Sequence, residues 1–333
     1  MAAQQRLHHR VPAGRHDRGE LHPVLHRVRL GAVAGDHRHG HDLCAQGAAG
    51  PARHTPDLPG RRPGPAWDRG ARARARAGAG HVRPRAIVTG GARRVGRAIA
   101  SELAQHGFDL AVHYHHSEAE AEAVAARCRA AGADAFTVGA DLADLDAIDA
   151  MLARLTERWD RLHLLVNNAS VYDPVPFEQI DAAEWDRVQA INVRAPFLLS
   201  RGLLPAMRAT DPADLGAPDG QHGVVVHLCD IGADNPRPGY AHYSASKAAL
   251  VMLVKAMAVE LGPTIRTVGI SPGQVAWPPS YDEARRARIR ARIPLQRAGD
   301  PGDVARLVRF LTLEAHYVHG AIVPVDGGLS KRY

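Results

Sequence analysis

The sequence predicts a single doubly wound α/β domain, in which helices cover both faces of a seven-stranded parallel sheet. Three observations carry this prediction. From residue 85 onward, short apolar runs alternate with segments of helical periodicity, as expected for parallel strands joined by crossover helices. The runs are apolar throughout, which indicates strands buried on both faces. The chain beyond that point has about the length that one such domain needs.

The predicted elements follow one another in a regular order. The apolar runs lie at 86–88, 110–114, 135–138, 164–166, 224–228, 266–270 and 321–325. Helices are predicted over 95–103, at 118–130, around 151–155, between the fourth and fifth strands, at 245–261 and at 303–311. In the first helix, Val95, Ile99 and Leu103 share one face, because residues three or four positions apart lie on the same side.

The start of the chain differs in composition, and we expect residues 1–83 to form a disordered leader before a domain at 84–333. The first 82 residues hold 14 arginines, no lysine and six acidic residues. They are rich in alanine, glycine, histidine and proline, with too few apolar residues to build a core. Because they carry the excess positive charge, the net charge of +7 does not predict nucleic-acid binding by the domain.

Three further interpretations of the leader stay open. His37, His39 and His41 could chelate a metal, although we expect no defined metal site. An arginine-rich arm could bind nucleic acid, although we expect no such partner. We favour the hypothesis that the leader is translated from GC-rich DNA upstream of the true start, since arginine outnumbers lysine 39 to 3 overall.

Membrane and disulfide-rich classes of protein are not expected. No run approaches the roughly 18 apolar residues that span a bilayer. Cys44, Cys128 and Cys229 are odd in number and widely spaced, which fits neither a disulfide framework nor a zinc pattern. The sequence therefore predicts a cytoplasmic protein without a membrane contact.

A glycine-rich turn joins the first strand to the first helix. It reads TGGARRVG and holds Gly90, Arg93, Arg94, Val95 and Gly96. Such a turn exposes backbone N–H groups and the positive end of a helix, which suits a dinucleotide pyrophosphate, although glycines also suit a simple tight turn. We expect a Rossmann-like domain with these residues at the cofactor.

The end of the second strand favours NADPH over NADH. It reads His113, Tyr114, His115, His116 and Ser117, where an NAD site usually carries an acidic residue for the ribose. The acid is missing, and two arginines of the glycine turn lie nearby, so these residues are predicted to bind the 2′-phosphate. The alternative is an ordinary polar strand end.

Polar residues also follow the third and fourth strands. Asp141 and Leu142 follow the third, and Asn168, Ala169 and Ser170 follow the fourth. Each group could equally cap a helix or form a turn. Ligands of open α/β sheets bind at the carboxyl ends of the strands, so we expect all five residues at the cofactor.

Four residues form a candidate catalytic set. Tyr243 and Lys247 are four positions apart and share a helix face, so the ammonium is expected to lower the phenol pKa. Asp230 ends the fifth strand and could hydrogen-bond the phenol. Asn192, in the preceding helix, could hold a water beside the lysine.

Together these motifs resemble the short-chain dehydrogenase/reductase family over nearly all of residues 85–330. Ser271-Pro272-Gly273 and Val325-Asp326-Gly327-Gly328 stand in that family's order and spacing. The resemblance implies a nicotinamide cofactor that Pro272 and Gly273 also contact. It also implies a homotetramer, with an interface on 190–204 and 245–261.

Departures from the usual family pattern resemble its pteridine reductase branch. Arg94 stands in place of a glycine, Asp230 in place of a serine, and His-x-Ser follows the second strand, although His116 stands where that branch often has arginine. The branch implies that Tyr172 stacks on the substrate, that Trp277 lines its pocket and that a terminal arginine reaches a neighbouring subunit.

That resemblance implies NADPH-dependent reduction of a C=N bond in a pterin or dihydropterin. Lys247 would hold the nicotinamide ribose, and Asn192 would complete a water-linked proton relay. The implied substrate contacts are Arg94, Ser170, Tyr172, Asp230, Tyr243 and Trp277. Alternatives are an NADP-dependent carbonyl reductase, acting on a 3-oxoacyl thioester or another ketone, and a non-catalytic dinucleotide-binding regulator.

Overall fold

A parallel sheet of seven strands forms the centre of the computed structural model, which describes residues 82–277 and 281–332. The strand order is β3-β2-β1-β4-β5-β6-β7, with every neighbouring pair parallel. The order reverses direction beside β1, as in a doubly wound sheet. The predicted fold class is therefore confirmed for the domain, while the predicted leader, apart from Val82 and Arg83, lies outside the described residues.

The strands agree closely with the predicted runs. They are Arg85–Val88 (β1), Asp109–Tyr114 (β2), Ala135–Gly139 (β3), Leu164–Asn167 (β4), Gly223–Leu228 (β5), Ile265–Pro272 (β6) and Ile322–Val325 (β7). The described helices are Arg94–Gln105 (α1), Glu118–Ala130 (α2), Leu145–Arg158 (α3), Ala182–Gln189 (α4), Ala195–Arg208 (α5), Ala241–Leu261 (α6), Glu283–Arg292 (α7) and Pro301–Leu313 (α8). Ala190–Arg194 forms a π-helical segment between α4 and α5.

Two helical features differ from the prediction. Helix α6 begins at Ala241 instead of residue 245, so Tyr243 lies in its first turn. Helix α7 was not predicted, because five of its ten residues are arginine and its apolar residues show no helical repeat. The carboxylate of Asp282 caps it by accepting the backbone N–H of Arg285 at 2.7 Å.

Helices pack on both faces of the sheet and enclose two apolar cores. Alternate strand residues supply each core, because successive side chains point to opposite faces. Helices α1, α2 and α8 cover the face that includes Val88 and Val112. Helices α3 and α5 cover the face that includes Ile87 and Leu165. No helix among the described residues is long and apolar enough to cross a membrane.

A buried arginine closes the C-terminal end of α8. Arg266 on β6 is 3% exposed. Its guanidinium donates to the carbonyls of Leu311 at 2.8 Å and Thr312 at 3.2 Å, and to two more carbonyls just beyond the helix. Burial lowers the pKa of Arg266 to about 10, and the helix dipole favours a cation at this end.

Candidate active site

The glycine turn after β1 has the close backbone packing that its sequence predicts. A Cβ atom on Gly96 would lie 2.1 Å from the carbonyl oxygen of Gly90, so only glycine fits there. Gly90 itself has a φ of +60°, in the left-handed region. The first turn of α1 has no side-chain cap and no acidic residue. Its N–H groups are thus suited to a phosphate.

Arg94 occupies a backbone position that favours glycine. Its φ is 49°, in the left-handed region where a Cβ atom is crowded. Its exposed guanidinium donates to the carbonyl of Ala276 at 3.3 Å. The side chain therefore crosses from the glycine turn to the segment that carries Trp277, and it lies between the predicted cofactor and substrate regions.

The side chain of Arg93, a residue of the glycine turn, is bound to α2 in this structure. Its guanidinium forms an ion pair with Glu120 on α2, and both side chains are about half exposed. Ser117 stands at the N-cap position of α2, but its hydroxyl makes no capping hydrogen bond. Among the residues predicted near the 2′-phosphate, the hydroxyl of Ser117 is thus available and the guanidinium of Arg93 is engaged.

His113 has a different role from the predicted one. The side chain is 2% exposed, and its Nδ1 accepts the N–H of Gly90 at 3.0 Å. Its Nε2 lies 3.1 Å from the carbonyl of Ala140. Burial lowers the pKa of His113 to about 4, so the imidazole is neutral. His113 therefore joins the ends of β1, β2 and β3 and is not placed to bind a phosphate.

The neighbouring residues of this strand end do reach the surface. The rings of His115 and His116 lie 3.4 Å apart between centroids, and Nε2 of His115 is 3.8 Å from a carboxylate oxygen of Asp141. Tyr114 packs over Gly139, where a Cβ atom would lie 3.0 Å from the ring. A buried residue, Leu142, follows Asp141.

The segment after β4 is tied to the glycine turn through Thr89, which the sequence analysis did not single out. Its hydroxyl oxygen accepts the N–H groups of Asn168 at 2.9 Å and Ala169 at 3.0 Å. The amide of Asn168 donates to the carbonyls of Thr89 at 2.8 Å and Gly90 at 3.1 Å. Asn168 and Ala169 thus support the turn that the cofactor would contact.

Asn192 lies in the π-helical segment and is 1% exposed. Its Oδ1 accepts from the hydroxyl of Ser170 at 3.1 Å and the N–H of Val171 at 3.0 Å. Its Nδ2 donates to the carbonyl of Val171 at 3.2 Å and the hydroxyl of Ser246 at 3.0 Å. These four bonds use the whole capacity of an amide, so the side chain holds the loop against α6 and has no group left for the predicted water.

Asp230 and Tyr243 form the closest polar pair of the predicted catalytic set. The phenol of Tyr243 donates to Oδ2 of Asp230 at 2.9 Å, and Oδ1 accepts the N–H of Gly232 at 2.6 Å. The phenol is 5% exposed. Burial and the nearby carboxylate raise the pKa of Tyr243 well above its ordinary value.

The prediction that Lys247 lowers this pKa is wrong for this structure. The Lys247 ammonium is buried and donates to the carbonyl of Leu228 at 2.8 Å. It lies 5.7 Å from the centroid of the Tyr243 ring, whereas the negative charge of Asp230 is in direct contact with the phenol. Burial also lowers the pKa of Lys247 itself. Burial, the largest cause, and the carboxylate therefore both act to raise the pKa of Tyr243.

Three tyrosines form an aromatic wall beside this pair. Tyr172 stacks on Tyr240 with ring centroids 4.4 Å apart and packs edge-on against Tyr243 at 4.7 Å. The sequence analysis expected Tyr172 here but missed Tyr240, which stands three residues before Tyr243 and so lies one helical turn away. That spacing was the available signal. Tyr172 and Tyr240 are both half-buried, and Tyr172 lies close enough to Asp230 for burial and the carboxylate together to raise its pKa.

The remaining predicted residues lie on the segment after β6. Gly273 packs against the segment after β7: its N–H donates to the carbonyl of Val325 at 3.0 Å, and a Cβ atom on it would lie 2.7 Å from that of Asp326. Pro272 ends β6. Trp277 lies 6.4 Å from Tyr281 between ring centroids, and residues 278–280 between them are outside the described residues.

Comparisons with known proteins identify this arrangement. A protein-family model described as Enoyl-(Acyl carrier protein) reductase matches residues 90–330. The 3-oxoacyl-[acyl-carrier-protein] reductase FabG of Staphylococcus aureus (strain Mu50) is 32% identical over 248 residues, which cover 73% of this chain and 97% of the relative. The chain belongs to the short-chain dehydrogenase/reductase family.

Other relatives in the family carry different names. The uncharacterised oxidoreductase YgfF of Escherichia coli (strain K12) is 31% identical over 250 residues, covering 73% of this chain and 98% of that protein. The structure of FolM alternative dihydrofolate reductase 1 from Brucella canis, complexed with NADP, is 32% identical with a TM-score of 0.67. The match covers 75% of this chain and 95% of the FolM chain.

Membership of the short-chain dehydrogenase/reductase family makes this chain an NAD(P)-dependent oxidoreductase. The residues present fit such a cofactor, because Gly96 allows the turn to pack closely against the start of α1, whose uncapped N–H groups are donors for a phosphate. The roles of the individual residues remain predictions. Arg332, expected at a neighbouring subunit, donates to the carbonyl of Ala291 at 3.3 Å within its own chain.

Proposed function

We propose that the chain is an NADPH-dependent reductase of a C=N bond in a pterin or dihydropterin. The observation that carries this proposal is the carboxylate of Asp230 in direct hydrogen bond with Tyr243. A carboxylate can accept from ring N–H and amino groups of a nitrogen heterocycle. A ketone offers only an acceptor oxygen, which a hydroxyl donor would suit better.

The active-site residues would divide the work as follows. The bound nicotinamide supplies the hydride. Tyr243 keeps its proton through the neutral range, because its pKa is raised, and it delivers that proton toward a ring nitrogen. Asp230 orients the phenol and pairs with ring N–H groups. Lys247 is held between Leu228 and the tyrosine, where it would contact the nicotinamide ribose.

The flat pair of Tyr172 and Tyr240 supports an aromatic substrate. Offset stacking on a planar heterocycle contributes about 0.5–1.5 kcal/mol beyond simple burial. The raised pKa of Tyr172, caused first by its burial, keeps that ring neutral. A substrate ring bounded by this wall would present its polar edge to Asp230.

NADPH is the proposed cofactor form. No acidic residue occupies the last position of β2, Tyr114, or the three positions that follow it. The hydroxyl of Ser117 at the start of α2 is not used as a cap, and the exposed rings of His115 and His116 stand beside it. Arg94 would add a positive charge at the glycine turn, where the pyrophosphate would contact Gly90, Val95 and Gly96.

Reduction of a carbonyl is the second candidate. By their names, the relatives support it better than the pterin assignment, since FabG proteins are 3-oxoacyl-[acyl-carrier-protein] reductases. The FolM structure, named a dihydrofolate reductase, supports the pterin assignment at similar identity. Asp230 and Arg94 favour the pterin, because neither supplies the neutral donor that a ketone oxygen needs.

The deciding experiment measures NADPH oxidation by the purified full chain. Dihydrobiopterin, dihydromonapterin and dihydrofolate are compared with a 3-oxoacyl thioester and simple ketones. Turnover of pterins without ketones is expected. Asp230→Ser should abolish most pterin turnover, while Asp234→Ser, which alters an exposed carboxylate four residues on, should not. Ketone turnover alone would reject the proposal, and no turnover at all would favour a binding protein.

We also propose that the chain self-associates as a homotetramer through α5 and α6. Phe197 on α5 and Met252 and Val259 on α6 are exposed at 46%, 61% and 85%. Large apolar side chains grouped on helix faces favour burial against another surface. Light scattering of wild type and Phe197→Glu tests this, and a monomeric wild type would reject it.

A further inference from the structure

Helix α7 is strongly basic and stands beside the candidate active site. It carries five arginines and a single acidic residue, Glu283, over ten positions; the arginines are Arg285, Arg286, Arg288, Arg290 and Arg292. Only Arg290 pairs with that glutamate. Like charges three or four positions apart on a helix repel one another, so this composition weakens the helix unless an anion binds to it.

Three of these arginines have no carboxylate within ion-pair distance among the described residues. Arg285 places its guanidinium 3.7 Å from the centroid of Tyr281, and Arg286 lies 5.9 Å from that of Trp277. The Nε of Arg286 is buried without a hydrogen-bond partner in the described part of the chain. Arg288 is fully on the surface. The charges of Arg285 and Arg286 therefore lie beside Tyr281 and Trp277.

The packing of α7 fixes this surface against the site. Ile289 and Ile293 pack with Ile231 and Leu329 in one small apolar cluster. Ile231 directly follows Asp230, so α7 rests on the turn that holds the proposed catalytic carboxylate. The cluster contains no arginine, and the arginines of α7 are exposed or half-exposed residues.

Two further arginines extend the same surface. Arg94 donates to the carbonyl of Ala276, next to Trp277, and Arg332 donates to the carbonyl of Ala291 on α7. We call the combined surface the arginine rim, and its members are Arg94, Arg285, Arg286, Arg288 and Arg332. It extends the positive charge from α7 to the segment that carries Trp277 and to the C-terminal segment.

We propose that the arginine rim binds a polyanionic tail on the substrate, a chain of carboxylates or phosphates attached to the ring that is reduced. The inference rests on the proposed function. A ring placed between Asp230 and the tyrosine wall would extend its substituent toward α7, because α7 is anchored on the adjoining turn. Arginine suits such a tail, since its planar guanidinium pairs with carboxylate and phosphate oxygens.

The test compares three substrates that share the reduced ring but differ in the tail. Dihydrobiopterin has a neutral tail, dihydrofolate pentaglutamate carries carboxylates, and dihydroneopterin triphosphate carries phosphates. For the full chain, KM with at least one anionic tail should be about tenfold below KM with the neutral tail, from a few exposed charge contacts. That preference should shrink as salt rises from low to high concentration.

The variant Arg285→Gln/Arg288→Gln keeps helix-forming side chains and removes two charges. It should lose most of the preference for the anionic tail, which is read as a ratio of KM values. The control is Arg127→Gln, which removes an exposed arginine on α2 and should keep the ratio. The tail that loses its advantage identifies the anion as carboxylate or phosphate.

The outcomes separate the two proposals. If dihydrobiopterin is reduced but the KM ratio is near one, or the ratio is unchanged in the double variant, the rim assignment is rejected and the proposed function stands. If no pterin is reduced, both are rejected. If only a 3-oxoacyl group on an acidic carrier protein is reduced, with a rate that depends on Arg285 and Arg288, the rim binds a protein and the tail proposal is overturned.

Discussion

The left-handed backbone of Arg94 leads to a test that separates stability from function. In Arg94→Gly the Cβ atom that is crowded at a φ of 49° is removed, which relieves about 1–2 kcal/mol. The variant also loses the hydrogen bond to Ala276, which is long, at 3.3 Å, and exposed. This loss offsets about 0.5 kcal/mol of the relieved strain. The greater freedom of glycine in the unfolded chain offsets about another 0.5 kcal/mol.

The net expectation is a small gain in the free energy of unfolding, up to about 1 kcal/mol. The matched control is Arg97→Gly, which alters an exposed arginine in the regular part of the same helix and should cost about 1 kcal/mol. The two variants should therefore differ by about 1.5 kcal/mol, or roughly 3–6 °C in Tm for a domain of this size. Circular dichroism during heating and urea titration measures both.

The same substitution should weaken catalysis, because it removes a guanidinium that lies between the predicted cofactor and substrate regions. We expect KM for NADPH or for the pterin to rise in Arg94→Gly and to stay near the wild-type value in Arg97→Gly. Equal destabilisation by the two variants would refute the argument from backbone strain. Unchanged kinetics in Arg94→Gly would refute the functional part.

Three further predictions concern single buried groups. Tyr243→Phe should lower turnover by about a hundredfold or more while NADPH binding, followed by fluorescence, persists; full turnover would contradict the proton-donor assignment. His113 has a pKa of about 4 in the folded chain and about 6.5 in the unfolded chain, so acidification favours the unfolded chain. The free energy of unfolding should therefore fall by about 2 kcal/mol between pH 7 and pH 5 because of this residue. Urea unfolding should show that this contribution disappears in His113→Gln and remains in His115→Gln. Arg266→Met leaves four carbonyls near α8 without their donor and should lower the free energy of unfolding by about 3–5 kcal/mol. Arg309→Met breaks partly exposed ion pairs and should lower it by less than about 1 kcal/mol. Equal losses in chemical denaturation would contradict this prediction.

The five central strands could be predicted from the sequence because they are largely buried on both faces and read as apolar runs. That same burial hid the orientation of His113. In a strand covered on both sides, alternation does not tell whether a polar residue faces a ligand or the interior. Helix α7 was missed for a related reason: its stability depends on the cap at Asp282 and on contacts of Ile289 with distant residues, and neither leaves an apolar repeat.

The candidate site shows what residue spacing cannot determine. The separation of Tyr243 and Lys247 predicts a shared helix face, and both do lie on α6. It does not indicate that the carboxylate of Asp230 would approach the phenol to 2.9 Å while the ammonium binds a carbonyl of β5. Burial of the phenol and its contact with the carboxylate both raise the pKa of Tyr243, and both are set by tertiary packing. Thr89 was missed because its partners are remote in sequence, and so is Tyr172, on which Tyr240 stacks, although the spacing of Tyr240 from Tyr243 was a usable signal.

The π-helical winding at Ala190–Arg194 accommodates an extra residue without turning α5 away from its face. A π-turn holds one more residue than an α-helical turn, and each residue of an α-helix turns the chain by about 100°. Loss of a single residue here would therefore restore α-helical winding with nearly the same total rotation, so that Phe197 would keep its face. The damage would be confined to the bulge itself, where Asn192 would lose the position from which it binds the loop and Ser246.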